Sequence, residues 1–280
     1  MPEAASEPAS AQTPKLDETP EPASAQTPEL DETPEPASAQ TPELDETPEL
    51  DETPELDETP ELDETPEPAP PRMDPWLRNA ARRAIGFMPD EEGVALYEAG
   101  LLGAEVGPLL EIGSYCGRSA IYLGAAAREK NRLLYSIDHH RGSEEHQPGG
   151  GYHDQRLVDP DSGLFDTLPT FRRTIEQAGL EDVVVGIVAR SEVVARDWAT
   201  PLGLVFVDGS HSSEAVQGDY EAWAPHVEPD GILAIHDVFE SPEEGGRPPY
   251  EIYLRALDTK MFVEISRAGS LRVLKRRHPA

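Results

Sequence analysis

Short apolar runs alternate with longer amphipathic segments through the last three quarters of the chain. Seven runs predict strands, at 108–112, 133–137, 183–188, 202–207, 232–235, 262–265 and 271–274. The segments around them predict helices, at 76–84, 90–100, 118–127, 168–178, 191–198, 214–226 and 250–257, and Gly100 is predicted to end the second of these. Strands that alternate with helices form a buried parallel sheet, so we predict an α/β, doubly wound, mostly parallel seven-stranded sheet with helices on both faces. The last two strands are close in sequence and are predicted to pair antiparallel at the edge.

The first quarter of the chain has a different pattern. Residues 7–20, 21–34 and 35–48 are near-identical copies of one 14-residue unit, and three copies of E-L-D-E-T-P follow up to Pro66. Residues 1–72 carry 22 acidic and two basic side chains, with recurrent proline and almost no aromatic or β-branched apolar residues. Such a segment cannot bury enough apolar surface to offset its chain entropy. We therefore predict a disordered acidic repeat tail at 1–72, whose partner is unknown, and one folded domain at 73–280.

Charge and composition exclude several classes of function. The 280-residue chain has a formal net charge of −32, which opposes binding to nucleic acid. No stretch is long and apolar enough to predict a membrane span, and the N-terminus lacks a secretory pattern. The single cysteine, Cys116, excludes an internal disulfide and is typical of a reducing compartment, so we expect a cytoplasmic protein. Homo-oligomerisation is left open.

The first predicted strand of this domain runs into a glycine-rich turn, Glu111-Ile112-Gly113-Ser114-Tyr115-Cys116-Gly117. Glycine allows close approach of the backbone to a ligand, and the next helix offers free N–H groups. The E-x-G-x-x-x-G spacing differs from the G-x-G-x-x-G of dinucleotide sites and resembles the form found where S-adenosylmethionine (SAM) binds. The residues of this turn predicted to bind the cofactor are Glu111, Gly113, Ser114, Gly117 and Ser119.

Polar residues at the ends of the later strands complete the predicted site. Asp138 is placed to accept hydrogen bonds from ribose hydroxyls, and Ser191 either meets an adenine edge or caps a helix. Asp208 and Asp237, with His236 as a third ligand, are candidates for holding a divalent cation. His211 is a candidate general base, and a metal-free mechanism would use His211 or His236 as base with Asp208 orienting it. An insert at 141–166 is expected to overhang this site.

Four motifs give the chain a family resemblance. E-I-G-S-Y-C-G-R-S (111–119), S-I-D-H-H (136–140), F-V-D-G-S-H (206–211) and A-I-H-D-V-F (234–239) resemble landmarks of class I SAM-dependent methyltransferases, which have a Rossmann-like fold. They are similar in particular to the branch of small-molecule and sugar O-methyltransferases related to macrocin and cephalosporin-pathway enzymes. The resemblance implies that Glu111, Gly113 and Gly117 surround the methionine part of SAM. It also implies ribose at Asp138.

The resemblance further implies Asp208 at a metal site or at the edge of the active site. Metal-dependent relatives usually carry two adjacent acids where this chain has His236-Asp237, and imidazole prefers softer ions than Mg²⁺. Participation of Mg²⁺ or Mn²⁺ is therefore left open. An Asp-x-x-His pair like Asp208 and His211 occurs in a macrolide-sugar methyltransferase of this type, with the histidine as base.

The predicted function is SAM-dependent O-methylation of a small hydroxylated substrate. Two alternatives remain from the sequence: an N-methyltransferase of the same fold, and a binding or scaffold protein whose acidic tail recruits a partner. Acidic and histidine residues at the ends of both the fourth and the fifth strand favour catalysis.

Overall fold

The computed structural model describes residues 72–210, 212–241 and 246–278. The predicted disordered tail, apart from Arg72, and the candidate base His211 lie outside the described residues. The division of the chain at residue 72 therefore stays a prediction. In the described part of the chain, no helix combines the length and the apolar character that a membrane span requires.

One seven-stranded sheet forms the centre of the domain. Its strands are β1 (Leu109–Ile112), β2 (Leu134–Asp138), β3 (Val184–Val188), β4 (Leu202–Val207), β5 (Val227–Ile235), β6 (Phe262–Ala268) and β7 (Leu271–Arg276). Their order across the sheet is β3-β2-β1-β4-β5-β7-β6. The first five strands are parallel, and β7 pairs antiparallel with both β5 and β6. The predicted doubly wound, mostly parallel sheet with an antiparallel edge is confirmed.

Helices cover both faces of the sheet. They are α1 (Pro75–Arg83), α2 (Asp90–Val106), α3 (Arg118–Glu129), α4 (Leu168–Gln177), α5 (Ser191–Ala195), α6 (Ser213–Trp223) and α7 (Pro248–Asp258). Alternate residues of β1 enter different cores: Leu109 packs with the side chains of α1 to α4, and Leu110 with those of α6 and α7. Because both faces of the central strands are buried, these strands are continuously apolar rather than alternating.

The order of the strands determines where a ligand can bind. The chain passes from β1 outward to β2 and β3, and then returns to the other side of β1 to form β4. The connections after β1 and β4 therefore leave in opposite directions, and a crevice opens at the carboxyl ends of these two strands. Among the described residues, the predicted site residues that follow the first, second, fourth and fifth strands lie at this edge of the sheet.

Helix α2 departs from its predicted length. It continues past Gly100, its predicted end, to Val106. Gly100 faces α3 at close range, since a Cβ atom at this position would lie 2.8 Å from the Cβ of Ala126. The glycine therefore allows two helices to approach each other and does not stop one of them. In addition, α5 ends earlier than predicted, at Ala195, and β5 begins earlier, at Val227.

The packing role of Gly100 can be tested against a glycine in open space. Gly100→Ala is expected to destabilise the protein by about 1–3 kcal/mol, because overpacking outweighs the better helix propensity of alanine. Gly218→Ala in α6 is the matched control, since a Cβ at 218 has no heavy atom within 4 Å. There we expect a gain of about 0.5–1 kcal/mol. Urea unfolding measures both, and a stabilised Gly100→Ala protein would contradict the packing role.

Candidate active site

An open cleft lies over the carboxyl ends of β1, β2, β4 and β5. We call it the main cleft. A second cavity, the side pocket, extends from it towards the start of α5 and the inner face of α6. The two cavities share Gly113, Asp138 and Gly209 in their linings, so one elongated ligand can occupy both.

The turn after β1 forms the junction of the two cavities. Gly113 has φ +89°, and a Cβ there would lie 2.2 Å from the backbone oxygen of Asp208, so any side chain at 113 would clash with the end of β4. Asp138 holds the turn from the neighbouring strand: its Oδ2 accepts a hydrogen bond from the Tyr115 N–H at 2.8 Å, and its Oδ1 accepts one from the His140 N–H at 2.7 Å. Asp138 thus has a structural role at the position where ribose binding is predicted.

Glu111 lies beneath the main cleft and is fully buried. Its Oε1 accepts a hydrogen bond from Ser136, whereas its Oε2 has no hydrogen-bond partner in the described part of the chain. Burial raises the pKa of Glu111 to about 7, against the hydrogen bond from Ser136 that lowers it. The hydroxyl of Ser114, which lines the cleft, is also buried without a partner among the described residues. These orphaned polar atoms fit a polar ligand group at the end of β1.

A buried chain of charged groups supports the other wall of the cleft. The His236 imidazole, 5% exposed, places Nε2 at 2.6 Å from Glu92 Oε2 and Nδ1 at 3.1 Å from Asp208 Oδ1. Burial lowers the pKa of His236, but the carboxylates of Asp208, Asp237 and Glu92 outweigh it and raise the pKa well above its ordinary value. Because both ring nitrogens of His236 contact carboxylates, neither nitrogen is available to take a proton from a substrate. The imidazole therefore positions the carboxylates and is poorly placed to act as a general base.

Glu92 is itself anchored from the far edge of the sheet. The backbone N–H of Ser270, in the turn between β6 and β7, donates to Glu92 Oε1 at 2.7 Å. A Cβ at the preceding Gly269, which has φ +51°, would lie 2.0 Å from the same oxygen. Burial raises the pKa of the Glu92 carboxyl, but hydrogen bonds from His236 and Ser270 outweigh it and hold the pKa below its ordinary value. Glu92 therefore joins helix α2, the β6–β7 turn and the site.

Asp208, His236 and Asp237 form a cluster that fits a cation. Ligand atoms of all three lie within 4.8 Å of one another. Asp237 has φ +54°, a strained conformation for a residue other than glycine, and such strain is common at functional sites. A neutral His236 that donates from Nε2 to Glu92 would have the lone pair of Nδ1 available for a cation. A carboxylate that accepts from the second ring nitrogen, as Glu92 does here, is the usual support of a metal-bound histidine. Two carboxylates and an imidazole suit Mn²⁺ better than Mg²⁺.

Aromatic side chains form the outer wall of the main cleft. Phe87 lies with its ring centroid 5.4 Å from that of Tyr115 and 5.2 Å from that of Tyr152, which belongs to the insert at 141–166. The segment that carries Phe87 is held by Arg118, whose guanidinium donates to the backbone oxygens of Ala84 and Met88 at 2.6–3.0 Å. The insert contributes Gly142, Ser143, Glu145 and His146 to the lining.

The structure places the other predicted cofactor residues at different distances from the cavities. Ser191 lines the side pocket, where its hydroxyl donates to Asp219, and the buried Ser119 lines the main cleft. Gly117 lies at the start of α3 with φ +92° and lines neither cavity. Cys116 is buried, and burial raises the pKa of its thiol to about 12, which leaves it unreactive.

Two residues of the site escaped the sequence analysis. In the sequence, Glu92 resembles any acidic residue in the first turn of a helix, and its partner His236 lies 144 residues further along the chain. Asp219 sits in the middle of α6, where charged residues normally face solvent, and yet it is only 7% exposed. Neither belongs to a motif. An acidic residue on the apolar face of a helix is the signal that could have identified both.

Comparison with known proteins agrees with this arrangement. Residues 110–238 match the family model described as a methyltransferase domain. Among solved structures, the O-methyltransferase NovP superposes with a TM-score of 0.54 at 18% identity, covering 72% of this chain and 88% of that chain. The O-methyltransferase TomG from Streptomyces achromogenes, solved in complex with SAM, gives a TM-score of 0.50 at 16% identity, covering 74% and 92%. The SAH-bound Podospora anserina methyltransferase PaMTH1 gives 0.51 at 13%, covering 72% and 86%.

At these identities the solved structures establish the shared fold, and the family match covers the strands and turns that build the site. Residues 110–238 match the methyltransferase-domain family, and the fold around them is the one that these solved methyltransferases share. Residues 110–238 thus carry the methyltransferase domain that the motifs predicted.

The buried Glu111 makes stability depend on pH in a defined direction. Its pKa is higher in the folded protein than the ordinary value of 4.5, so folding favours the protonated form. Stability is therefore lost as pH rises from about 4.5 to 7, and Glu111→Gln should remove this loss. We expect the variant to be more stable than wild type by about 1–3 kcal/mol at pH 8, with little difference at pH 4.5.

Urea unfolding at both pH values measures this difference. The exposed Glu181→Gln is the control and should follow wild type at each pH. A constant offset between Glu111→Gln and wild type would contradict a titrating Glu111.

The Glu92–His236 contact should contribute strongly to stability. Glu92→Ala leaves the imidazole buried with its Nε2 unpaired, and removing one partner of a buried pair costs about 3–5 kcal/mol. Glu91→Ala, at the exposed neighbouring position of α2, is the matched control and should change stability by less than about 0.5 kcal/mol. Chemical denaturation compares them, and equal effects of the two variants would contradict the proposed support.

Proposed function

We propose that this chain transfers the methyl group of SAM to a hydroxyl group of an uncharged small molecule. The observation that carries the proposal is the pair of carboxylates, Asp208 and Asp237, held at the cleft by the buried His236–Glu92 contact. They line the main cleft together with the turn after β1, so a hydroxyl beside them would lie close to a cofactor bound at that turn.

The chemistry of the lining supports a position for each part of the cofactor. The methionine part fits at Gly113 and Ser114, above the buried Glu111, whose free Oε2 suits an ammonium group. Ribose hydroxyls fit at Asp138, which keeps lone pairs for them besides its two backbone contacts. The adenine then extends into the side pocket past Ser191. TomG and PaMTH1, solved with SAM and SAH, support this choice of cofactor.

The reaction requires an aligned nucleophile and a destination for its proton. The acceptor oxygen attacks the methyl carbon, the carbon–sulfur bond breaks, and sulfur keeps the electron pair, which leaves S-adenosylhomocysteine (SAH). Asp208, or His211 if it is the base, takes the hydroxyl proton, and holding the two reactants in line supplies much of the acceleration. His236 keeps the Asp208 carboxylate in place. A cation held by Asp208, His236 and Asp237 would lower the pKa of a bound hydroxyl.

The lining of the main cleft also indicates the kind of acceptor. Phe87 and Tyr115 offer aromatic faces, and the opposite wall is acidic. Arg118, the one Lys or Arg side chain in the described lining, is occupied by backbone oxygens. Anionic acceptors such as carboxylates and phosphate esters would thus meet repulsion without a compensating cation. An uncharged, ring-bearing acceptor with a free hydroxyl suits this cleft.

Calorimetric titration with SAM and SAH tests the cofactor assignment. The full chain should bind both ligands, and Asp138→Ala should bind them at least tenfold more weakly, since hydrogen bonds between ribose and a carboxylate are lost. Asp74→Ala, at an exposed acid before α1, is the control and should bind like wild type. A folded chain that binds neither ligand would overturn the proposal.

Turnover with labelled SAM and a panel of hydroxylated, amine and carboxylate acceptors tests the reaction. We expect methylation of an uncharged hydroxyl compound, and a loss of at least a hundredfold in kcat for Asp208→Asn, the order expected for removing a general base. Parallel assays with EDTA and with added Mn²⁺ or Mg²⁺ decide whether a metal takes part. Methylation confined to amines would assign the chain to N-methylation instead.

A further inference from the structure

The side pocket contains a buried acid that the proposed reaction does not use. Asp219 lies on the inner face of α6, is 7% exposed and contributes to the lining of the pocket. Its Oδ1 accepts a hydrogen bond from the hydroxyl of Ser191, the first residue of α5. Burying a carboxyl group in a helix interior is costly unless it gains compensating contacts, so its second oxygen needs an explanation.

The Oδ2 atom of Asp219 lies beside the turn that follows β4. A Cβ atom at Gly209 would be 3.3 Å from it, and Gly209 lines both cavities. In the described residues, the hydrogen bond of Asp219 is the one from Ser191 to Oδ1. On the same helix, a Cβ at Gly218 would meet open space, so a flat group has room above this stretch of α6.

The chemistry at this end of the pocket selects for a hydrogen-bond donor. An ionised carboxylate only accepts hydrogen bonds. The Ser191 hydroxyl already donates its hydrogen bond to Asp219, so it too can only accept a further one. Burial raises the pKa of Asp219 to about 6, so the group is mainly ionised at neutral pH. Asp138, Ser191 and Asp219 line the same pocket, so a purine whose ribose is bound at Asp138 has room to extend towards Asp219.

We propose that Asp219, together with Ser191, recognises the exocyclic 6-amino group of the cofactor's adenine and makes the pocket selective for adenine over other purines. The proposal rests on the assignment of SAM as the cofactor. Asp219 is here a specificity residue for the base and takes no part in methyl transfer. A 6-oxo purine would present an acceptor oxygen to two acceptors, and a purine without a 6-substituent would leave Asp219 unpaired.

Binding of two ligands that differ only at this position tests the proposal. The probes are SAH and its analogue with unsubstituted purine in place of adenine, titrated calorimetrically into the full chain. Wild type should prefer SAH by about tenfold or more, as expected for a hydrogen bond to a charged acceptor. Asp219→Ala should reduce the preference to about twofold, through weaker binding of SAH and unchanged binding of the analogue.

The ratio separates recognition from a structural role, because damage to the pocket would weaken both ligands equally. Glu192→Ala, at an exposed acid on the rim of the same pocket, is the control and should keep the wild-type ratio. If the alanine variant does not fold, Asp219→Leu, which keeps the branched shape without the acceptor oxygens, replaces it.

Equal affinity of wild type for the two ligands, or an unchanged ratio in the Asp219 variant, would overturn the proposal while leaving the cofactor assignment intact. Failure of wild type to bind SAH at all would overturn the proposed function itself.

Discussion

The contact between Glu92 and His236 is the interaction on which the active-site arrangement depends. Both side chains are nearly inaccessible to water, and a charge in such surroundings is tolerated only with a close partner of opposite sign. Glu92 comes from helix α2 and His236 from the end of β5, and Ser270 ties the pair to the β6–β7 turn. The other ring nitrogen then holds Asp208 at the end of β4. Three distant parts of the chain must fold together before the cleft has its acidic wall.

The charges around the cleft match the reaction proposed for it. SAM carries a positive sulfonium, and Asp138, Asp208 and Asp237 all line the main cleft. An acidic site attracts the cationic cofactor, and this attraction disappears once the methyl group leaves and the sulfur becomes neutral. The same carboxylates repel anionic acceptors. In the proposed reaction, cofactor choice, product release and acceptor class would all follow from one feature, the surplus of carboxylates at the carboxyl ends of β1, β2, β4 and β5.

The sequence predicted the sheet well and the site in part, for a physical reason. A buried parallel strand is mostly apolar on both faces, so a run such as Leu202–Val207 can be recognised as a strand from the sequence alone. Because parallel strands all end at the same edge of the sheet, the polar residues that follow such runs are predicted to lie together. Contacts between elements far apart in sequence leave no such local pattern. Glu92 and Asp219 were missed because only the packing of α2 brings Glu92 against His236, and only the packing of α6 brings Asp219 to the side pocket. Gly100 was misread because a glycine that ends a helix and one that admits a neighbouring helix have the same local sequence signal.

A crystal structure of the full chain with SAH tests the central claim most directly. We expect the sulfur in the main cleft facing Asp208 and Asp237, the ribose hydroxyls on Asp138, and the adenine in the side pocket beside Ser191. The contact between Glu92 and His236 should persist in that complex. A ligand bound away from the carboxyl ends of β1 and β4, or with its sulfur turned from the two carboxylates, would contradict the account.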